Sequence, residues 1–423
     1  MRFWMLWLVV LSASAAPAAD PPPPNLKQPV DYVSWINSVY EAGIVENASD
    51  GYGRAIELLP QGKDILTCSD IAKSPARNWS NDEQVRLRAW IAKCEPALAE
   101  FSAAAKLPRC YFPAKSDTGS IVDVEWPYVK LRVLITWSTA RARLRLLDND
   151  IDAALNDLAA VLGAARHLEM QPATIAFLLG ASGRRSAYAA LQELPALVPN
   201  SVSYDDVRKR LRKIDPEPGD LKAALLGERV FFNDLLQRKG IDADGDGRIE
   251  VLDLSALEGE TRHAVDPPRT VVELSGSYSA SLASLERITE AGYPEAIRLE
   301  EQGKKESAKL SAFEQWSASL LVTDKSRRMS LAHRNAARAI ILMHAYKAAE
   351  GKWPETLRDA MKIESPKYRA DPFSEGELGY RLRNGQPLLY SIGPDGEDND
   401  GRPQGNEGFT SPGDVVFWPL AEN

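Results

Sequence analysis

Between about residues 31 and 351, apolar positions recur at spacings of three and four, the period of a helix with one buried face. The pattern is clearest over 126–147, where Val129, Val133, Trp137, Ala140, Leu144 and Leu147 form one stripe and Arg141, Arg143 and Arg145 fall off it. Asp148-Asn149-Asp150 interrupts the stripe, and Asp150 is a good N-cap for a second one: Ile151, Leu155, Leu158, Leu162 and Ala165. Two helices joined by so short a turn must pack antiparallel. The same reading predicts helices over 81–106, 172–194, 220–238 and 267–291, the last entered through Asp266 as cap and Pro267 at the first helical position. Residues 295–321 and 325–350 read as two long, charged helices, the second closed by Gly351.

After Gly351 the period falls to two. Segments 378–383 (LGYRLR) and 387–391 (PLLYS) flank Asn384-Gly385, the signature of a hairpin with a type I′ turn, and 415–418 (VVFW) reads as a third short strand. The expected fold is therefore mainly α: a helical domain over 31–351, as a bundle or a short tetratricopeptide-like array, with a small α+β unit containing a β-hairpin over 352–423. The hairpin ARLRLLDNDIDAALNDLAAVL resembles a tetratricopeptide-type unit. It has no companion at a 34-residue period, so an irregular helical bundle stays open beside the array.

The first 19 residues have three parts: Met1-Arg2, the apolar run FWMLWLVVL, and the small residues SASAAPAA with A-x-A spacings. That order reads as a secretory signal peptide cleaved near 16–19, which places the mature chain in the periplasm or outside the cell. The apolar run of 9 residues is short of the roughly 20 that a membrane-spanning helix needs. Residues 20–30, opening DPPPP, read as a stiff linker.

Apolar content of 44% and charged content of 26% are ordinary for a globular protein, so they leave the helical reading intact. The net charge of −8 disfavours a nucleic-acid partner, which needs clustered Lys and Arg, and favours attraction for cations. Cys68, Cys94 and Cys110 leave two readings open in an oxidising compartment, one disulfide or three buried thiols.

The sharpest chemical signal is DADGDGRIEVLD at 242–253. An EF-hand loop places oxygen ligands at positions 1, 3, 5, 7, 9 and 12 and a Gly at 6. These positions are filled by Asp242, Asp244, Asp246, the carbonyl of Arg248, Glu250 (directly or through a water) and Asp253, with Gly247 at the sixth. Ile249 is the apolar residue expected beneath the loop, 220–238 the entering helix, and 251–257 a short exiting helix. Calcium wants six to eight hard oxygens, and carboxylates on alternate residues of one loop can wrap a single ion. Asp in place of the commoner Glu at position 12 makes the loop resemble the single, dockerin-type loops at least as much as paired EF-hands. A structural ion at a helix junction is the expectation, rather than a switch.

The C-terminal segments WPETL (353–357), ADPFSEGELGYRL (370–382), LLYSIGPDGEDNDG (388–401) and GDVVFW (413–418) are similar to the end of the major pseudopilin of type II secretion. The resemblance implies a second calcium held by Asp395, Asp398, Asp400 and Asp414, with carbonyls near Ile392. An ordinary leader in place of a prepilin leader departs from that family, so this chain is not expected to be a pilus subunit. With DYVSWIN at 31–37, the whole chain resembles a group of exported bacterial proteins that join a helical region to this ending, a resemblance that implies no activity.

None of the common hydrolase or nucleotide-binding motifs is present. His333 and His344 lie eleven apart on one predicted helix, roughly 16 Å and too far for one metal ion. His167 and His263 read as packed or surface helical residues, and Ser182 and Ser275 have no local base. Two function classes remain: an exported calcium-stabilised scaffold or binding protein whose partner is another protein, or an exported hydrolase with a site assembled from distant residues.

Overall fold

The computed structural model describes residues 20–62, 64–198, 203–253, 262–307, 321–405, 409 and 411–420; residues 1–19, where a signal peptide is expected, lie outside them. The fold is mainly helical, with two small three-stranded antiparallel sheets. Helices α1 (Tyr32–Tyr40), α2 (Ala48–Glu57), α3 (Asp64–Lys73) and α4 (Asn81–Ala104) lead into the predicted hairpin of α5 (Tyr128–Leu147) and α6 (Ile151–Glu169). Asp150 caps α6 by accepting from the Ala153 N–H. Next come α7 (Thr174–Leu197), α8 (Tyr204–Ile214) and α9 (Lys222–Lys239). Helix α5 packs on both α6 and α7, and α4 on both α5 and α6, so each meets its neighbour and the next but one, as in a short layered array.

The single stripe on α5 understates its burial. Val129 is 55% exposed, while Arg141 and Arg143 are buried. Arg141 forks onto Asp157 at 2.7 and 3.1 Å and reaches Glu95, and Arg143 meets Glu193. A buried guanidinium is tolerated where a carboxylate matches its fork. Cys68, Cys94 and Cys110 are buried, and no pair of them is bridged.

Residues 20–30 do not hang free as a linker. Pro24 is buried, Tyr32 donates to the Pro22 carbonyl, and Asp20 pairs with Arg229 at 2.9 Å. Gln237 of α9 accepts from the Asn25 and Val30 N–H groups and donates to the Val30 carbonyl. Asn25 bends the chain by accepting from the Lys27 and Gln28 N–H groups, which brings the Asn25 and Val30 amides to one side chain.

After α9 the chain forms β1 (Gly240–Ile241), β2 (Arg248–Asp253) and β3 (Arg262–Thr270), ordered β1-β2-β3. Helix α10 (Val271–Glu290) therefore starts later than expected. Thr270 and Glu273 form its capping box, and Asp266-Pro267 lies within β3. Helix α11 (Tyr293–Ser307) covers the first half of the predicted 295–321 helix; 308–320 lie outside the described residues.

Helix α12 (Leu321–Glu350) is the seat of the C-terminal unit. Ala332, Ala336, Ala339, Ile340 and Met343 share a core with Trp353, Leu357, Phe373, Leu389 and Phe417. That unit holds α13 (Leu357–Ala360) and the sheet of β4 (Gly379–Arg383), β5 (Gln386–Ser391) and β6 (Val415–Trp418). Strands β4 and β5 form the predicted hairpin, with Asn384 and Gly385 at φ 50° and 76°, the positive pair that a type I′ turn requires. An ionic junction ties α12 to the end of α8: Asp215 accepts from Arg334 at 2.8 Å, Arg338 at 2.6 Å and the Tyr188 hydroxyl at 2.5 Å. No described helix is long and apolar enough to cross a membrane.

Candidate metal centre

Helix α9 ends at Lys239, and Gly240 sits against Ile249, where a Cβ would meet the Ile249 Cδ1 at 2.4 Å. Ile249 is fully buried beneath the loop beside Leu235, Leu236 and Leu252. Gly247 takes φ 90°, the left-handed turn that the sixth position needs. Apolar packing thus fixes both ends of a loop whose rim is polar.

Four of the predicted ligands gather on one point. Asp242, Asp244, Asp246 and Glu250 each present one oxygen, all within 4.8 Å of one another. Oxygens at 2.3–2.6 Å from a calcium ion lie at most about 5 Å apart across it, so the spacing fits one ion. The loop amides hold the carboxylates in place. Asp242 accepts from the Gly245 and Gly247 N–H groups at 2.7 and 2.9 Å, and Glu250 from Ala243 at 2.8 Å. Asp244 accepts from the Asp246 N–H and Asp246 from the Arg248 N–H. Like charges this close repel by roughly 1 kcal/mol per pair even in water. The Arg248 side chain comes only to 3.8 Å of Asp246 and donates to the Pro268 carbonyl. An all-oxygen, hard donor set converging within 4.8 Å suits a divalent cation of calcium's class.

Asp253 does not join the cluster. The predicted exiting helix is strand over Val251–Asp253, and 254–257 lie outside the described residues. Strand β2 runs on because β3 pairs with it, Arg248 opposite Thr270, Ile249 opposite Arg269 and Asp253 opposite Arg262. At about 3.3 Å per residue, three steps carry Asp253 about 10 Å past Glu250, where a helical exit would have folded it back. It pairs with Arg262 at 3.2 Å. The sequence pattern did not reveal β3, which meets the loop at Arg248 and Ile249. The alternation of His263 and Val265 was the available signal, and Pro267-Pro268 obscured it.

The C-terminal acidic turn is arranged differently. No three of Asp395, Asp398, Asp400 and Asp414 converge within 4.8 Å. Asp400 turns to Arg381 at 2.8 Å, and its carbonyl accepts from Arg381 and Arg383. Asp414 is fully buried and accepts from the Asn399 and Gly401 N–H groups at 3.1 and 2.5 Å; burial pushes its carboxyl pKa up. Asp395 accepts from Gly413 at 2.8 Å, and Asp398 from the Tyr390 hydroxyl. Asp371, which the acid spacing did not single out, accepts from the Ser391 hydroxyl and the Ile392 amide. Backbone N–H groups and arginines thus close the turn with its own atoms.

The histidines and serines sit apart from this chemistry. The buried His167 Nε2 donates to the Leu107 carbonyl at 2.9 Å, which leaves Nδ1 to accept from the Tyr52 hydroxyl at 2.8 Å. Burial lowers its pKa to about 4. His333 and His344 lie edge-on to Phe417 and Trp418 of β6 at 5.0 and 4.9 Å. His263 lies in β3, not on a helix, and Ser275 donates to Asn233. A groove of about 360 Å³ between the α8–α9 loop, α10 and α12 is lined by leucines, acids, Lys222, Arg327, Thr289, Pro218 and Gly219. It carries no His, Ser or Cys.

No family model, curated protein or solved structure matches this chain.

Proposed function

We propose that the protein is an exported helical scaffold or binding protein that holds one structural calcium ion in the 242–253 loop. The observation that carries this reading is the convergence of the Asp242, Asp244, Asp246 and Glu250 oxygens within 4.8 Å, each steadied by a loop amide. Those four, the Arg248 carbonyl and water supply the ligands. The loop sits where α9 passes into the β1-β2-β3 sheet, so an ion there would rigidify a helix–sheet junction. The long, layered helical surface is the part that would meet a partner protein. The hydrolase reading rests on the groove, which carries acids, Lys222 and Thr289 but no His, Ser or Cys.

The test is the melting temperature of the mature chain over a calcium series. Affinity on the order of 10⁻⁵ to 10⁻³ M suits an extracellular module. With a Kd of about 10⁻⁴ M, 10 mM calcium stabilises the native state by about 2.7 kcal/mol. Asp246→Ala should remove that gain. A melting temperature indifferent to calcium, or equally responsive in the variant, refutes the reading.

A further inference from the structure

The strap of residues 20–30 and the calcium loop are held by the same end of the same helix. Gln237 lies five residues before Asp242, and its side-chain amide satisfies three backbone groups of the strap: the N–H groups of Asn25 and Val30 at 3.2 and 2.9 Å, and the Val30 carbonyl at 2.9 Å. Its Nε2 also donates to Asp234, which is fully buried. Asp234 in turn accepts from the Ser120 hydroxyl, the Ile121 N–H and Arg238. On the apolar side, Leu26 of the strap packs against the cluster that contains Leu235, Leu236, Ile249 and Leu252. Ile249 is the residue beneath the calcium loop, so the strap and the loop share a core as well as a helix end.

We infer that the strap and Gln237 position the calcium loop, so that docking of residues 20–30 and binding of calcium reinforce each other. The inference rests on the calcium reading above. The physical route is short. Lifting the strap exposes Leu26 and strips Gln237 of three hydrogen bonds, which loosens the last turn of α9 and the packing of Ile249. The Asp242 carboxylate then starts from a less ordered position, and the ion must supply the ordering. Gln237 is a positioning residue here and offers no atom to the ion. The chain's first mature residues thereby become part of its calcium affinity.

Linkage makes the claim quantitative. If the strap strengthens calcium binding by some factor, calcium must suppress strap opening by the same factor. Couplings of this kind are typically about fivefold or more. The experiment uses calorimetric calcium titration of the mature chain, of a chain lacking residues 20–30, and of Gln237→Ala and Leu26→Ala, each checked for native circular dichroism. The point variants keep the test sharp if the deletion does not fold. Trypsin cleavage after the exposed Lys27 is then timed in chelator and in saturating calcium, under conditions where cleavage follows the open population. The expected results are Kd values about fivefold or more higher in the altered chains, and slowing of Lys27 cleavage by calcium equal to the Kd ratio of the deletion to the intact chain. Equal Kd values in folded intact and altered chains overturn the coupling and leave the calcium site standing. No calcium heat in the intact chain overturns both.

Discussion

His167 should make the protein acid-sensitive well above the carboxylate range. Its ring is 2% exposed, and burial holds its pKa at about 4, against about 6.5 for a free imidazole. A folded-state pKa below the unfolded one means that the unfolded chain takes up the proton first. Stability is therefore full above about pH 6.5, falls as pH drops through that value, and levels off below about 4. At pH 5 the unfolded imidazole is nearly all protonated and the folded one roughly one-tenth so, which costs about 2 kcal/mol relative to pH 7. Protonation also changes the geometry, because Nδ1 becomes a donor facing the Tyr52 hydroxyl that now donates to it. His167→Gln removes the titrating group and offers an amide to the Leu107 carbonyl. The assay is urea unfolding of both chains at pH 7 and pH 5. The wild type should lose about 2 kcal/mol more than the variant between the two pH values. Equal losses in the two chains would refute the reasoning.

Burial pushes the Cys94 thiol up to about 12 and raises Cys110 as well, so at pH 8 neither should react with Ellman's reagent in the native protein, while three thiols should titrate in guanidinium; a mass two daltons short, or fast native reaction, would contradict this. Asp215→Ala leaves Arg334, Arg338 and the Tyr188 hydroxyl without their shared acceptor and should destabilise the fold by about 3–5 kcal/mol, read as a lower melting temperature; an unchanged melt would show the junction to be dispensable. Asp400→Ala removes a surface partner of Arg381 and places Ala at φ 62°, whereas Asp414→Ala orphans the buried Asn399 and Gly401 amides and should lower the melting temperature further; the reverse order of melting temperatures would contradict this.

The hairpin of α5 and α6 was legible because a period of 3.6 and an Asp cap are local properties of the chain. The same stripe misjudged how deeply α5 is buried. Arg141 and Arg143 look like surface residues until Asp157, Glu95 and Glu193 are brought to them from other helices. The start of α10 was misplaced although the T-x-x-E of Thr270 and Glu273 was there to be read; Asp266-Pro267 gave an equally good local start, and only pairing with β2 decides between them. Of the six ligands expected from the 242–253 pattern, the four acids that cluster lie within nine residues, where loop geometry alone sets their spacing. The place of Asp253 depends on how the chain leaves the loop, and pairing with a strand from farther along the sequence settles that. At the C-terminal turn, acid spacing alone did not reveal that Asp400 would turn to Arg381 and that Asp414 would be spent on backbone amides.

The most direct test of the calcium proposal is calorimetric titration with calcium of three chains that start at Asp20: the unaltered protein, Asp242→Asn and Asp253→Asn. Asp242 stands in the oxygen cluster, while Asp253 is turned toward Arg262. One site is expected in the unaltered protein, one site of similar affinity in Asp253→Asn, and none in Asp242→Asn. Binding by Asp242→Asn as tight as that of the unaltered chain would contradict the proposal, and so would loss of binding in Asp253→Asn alone.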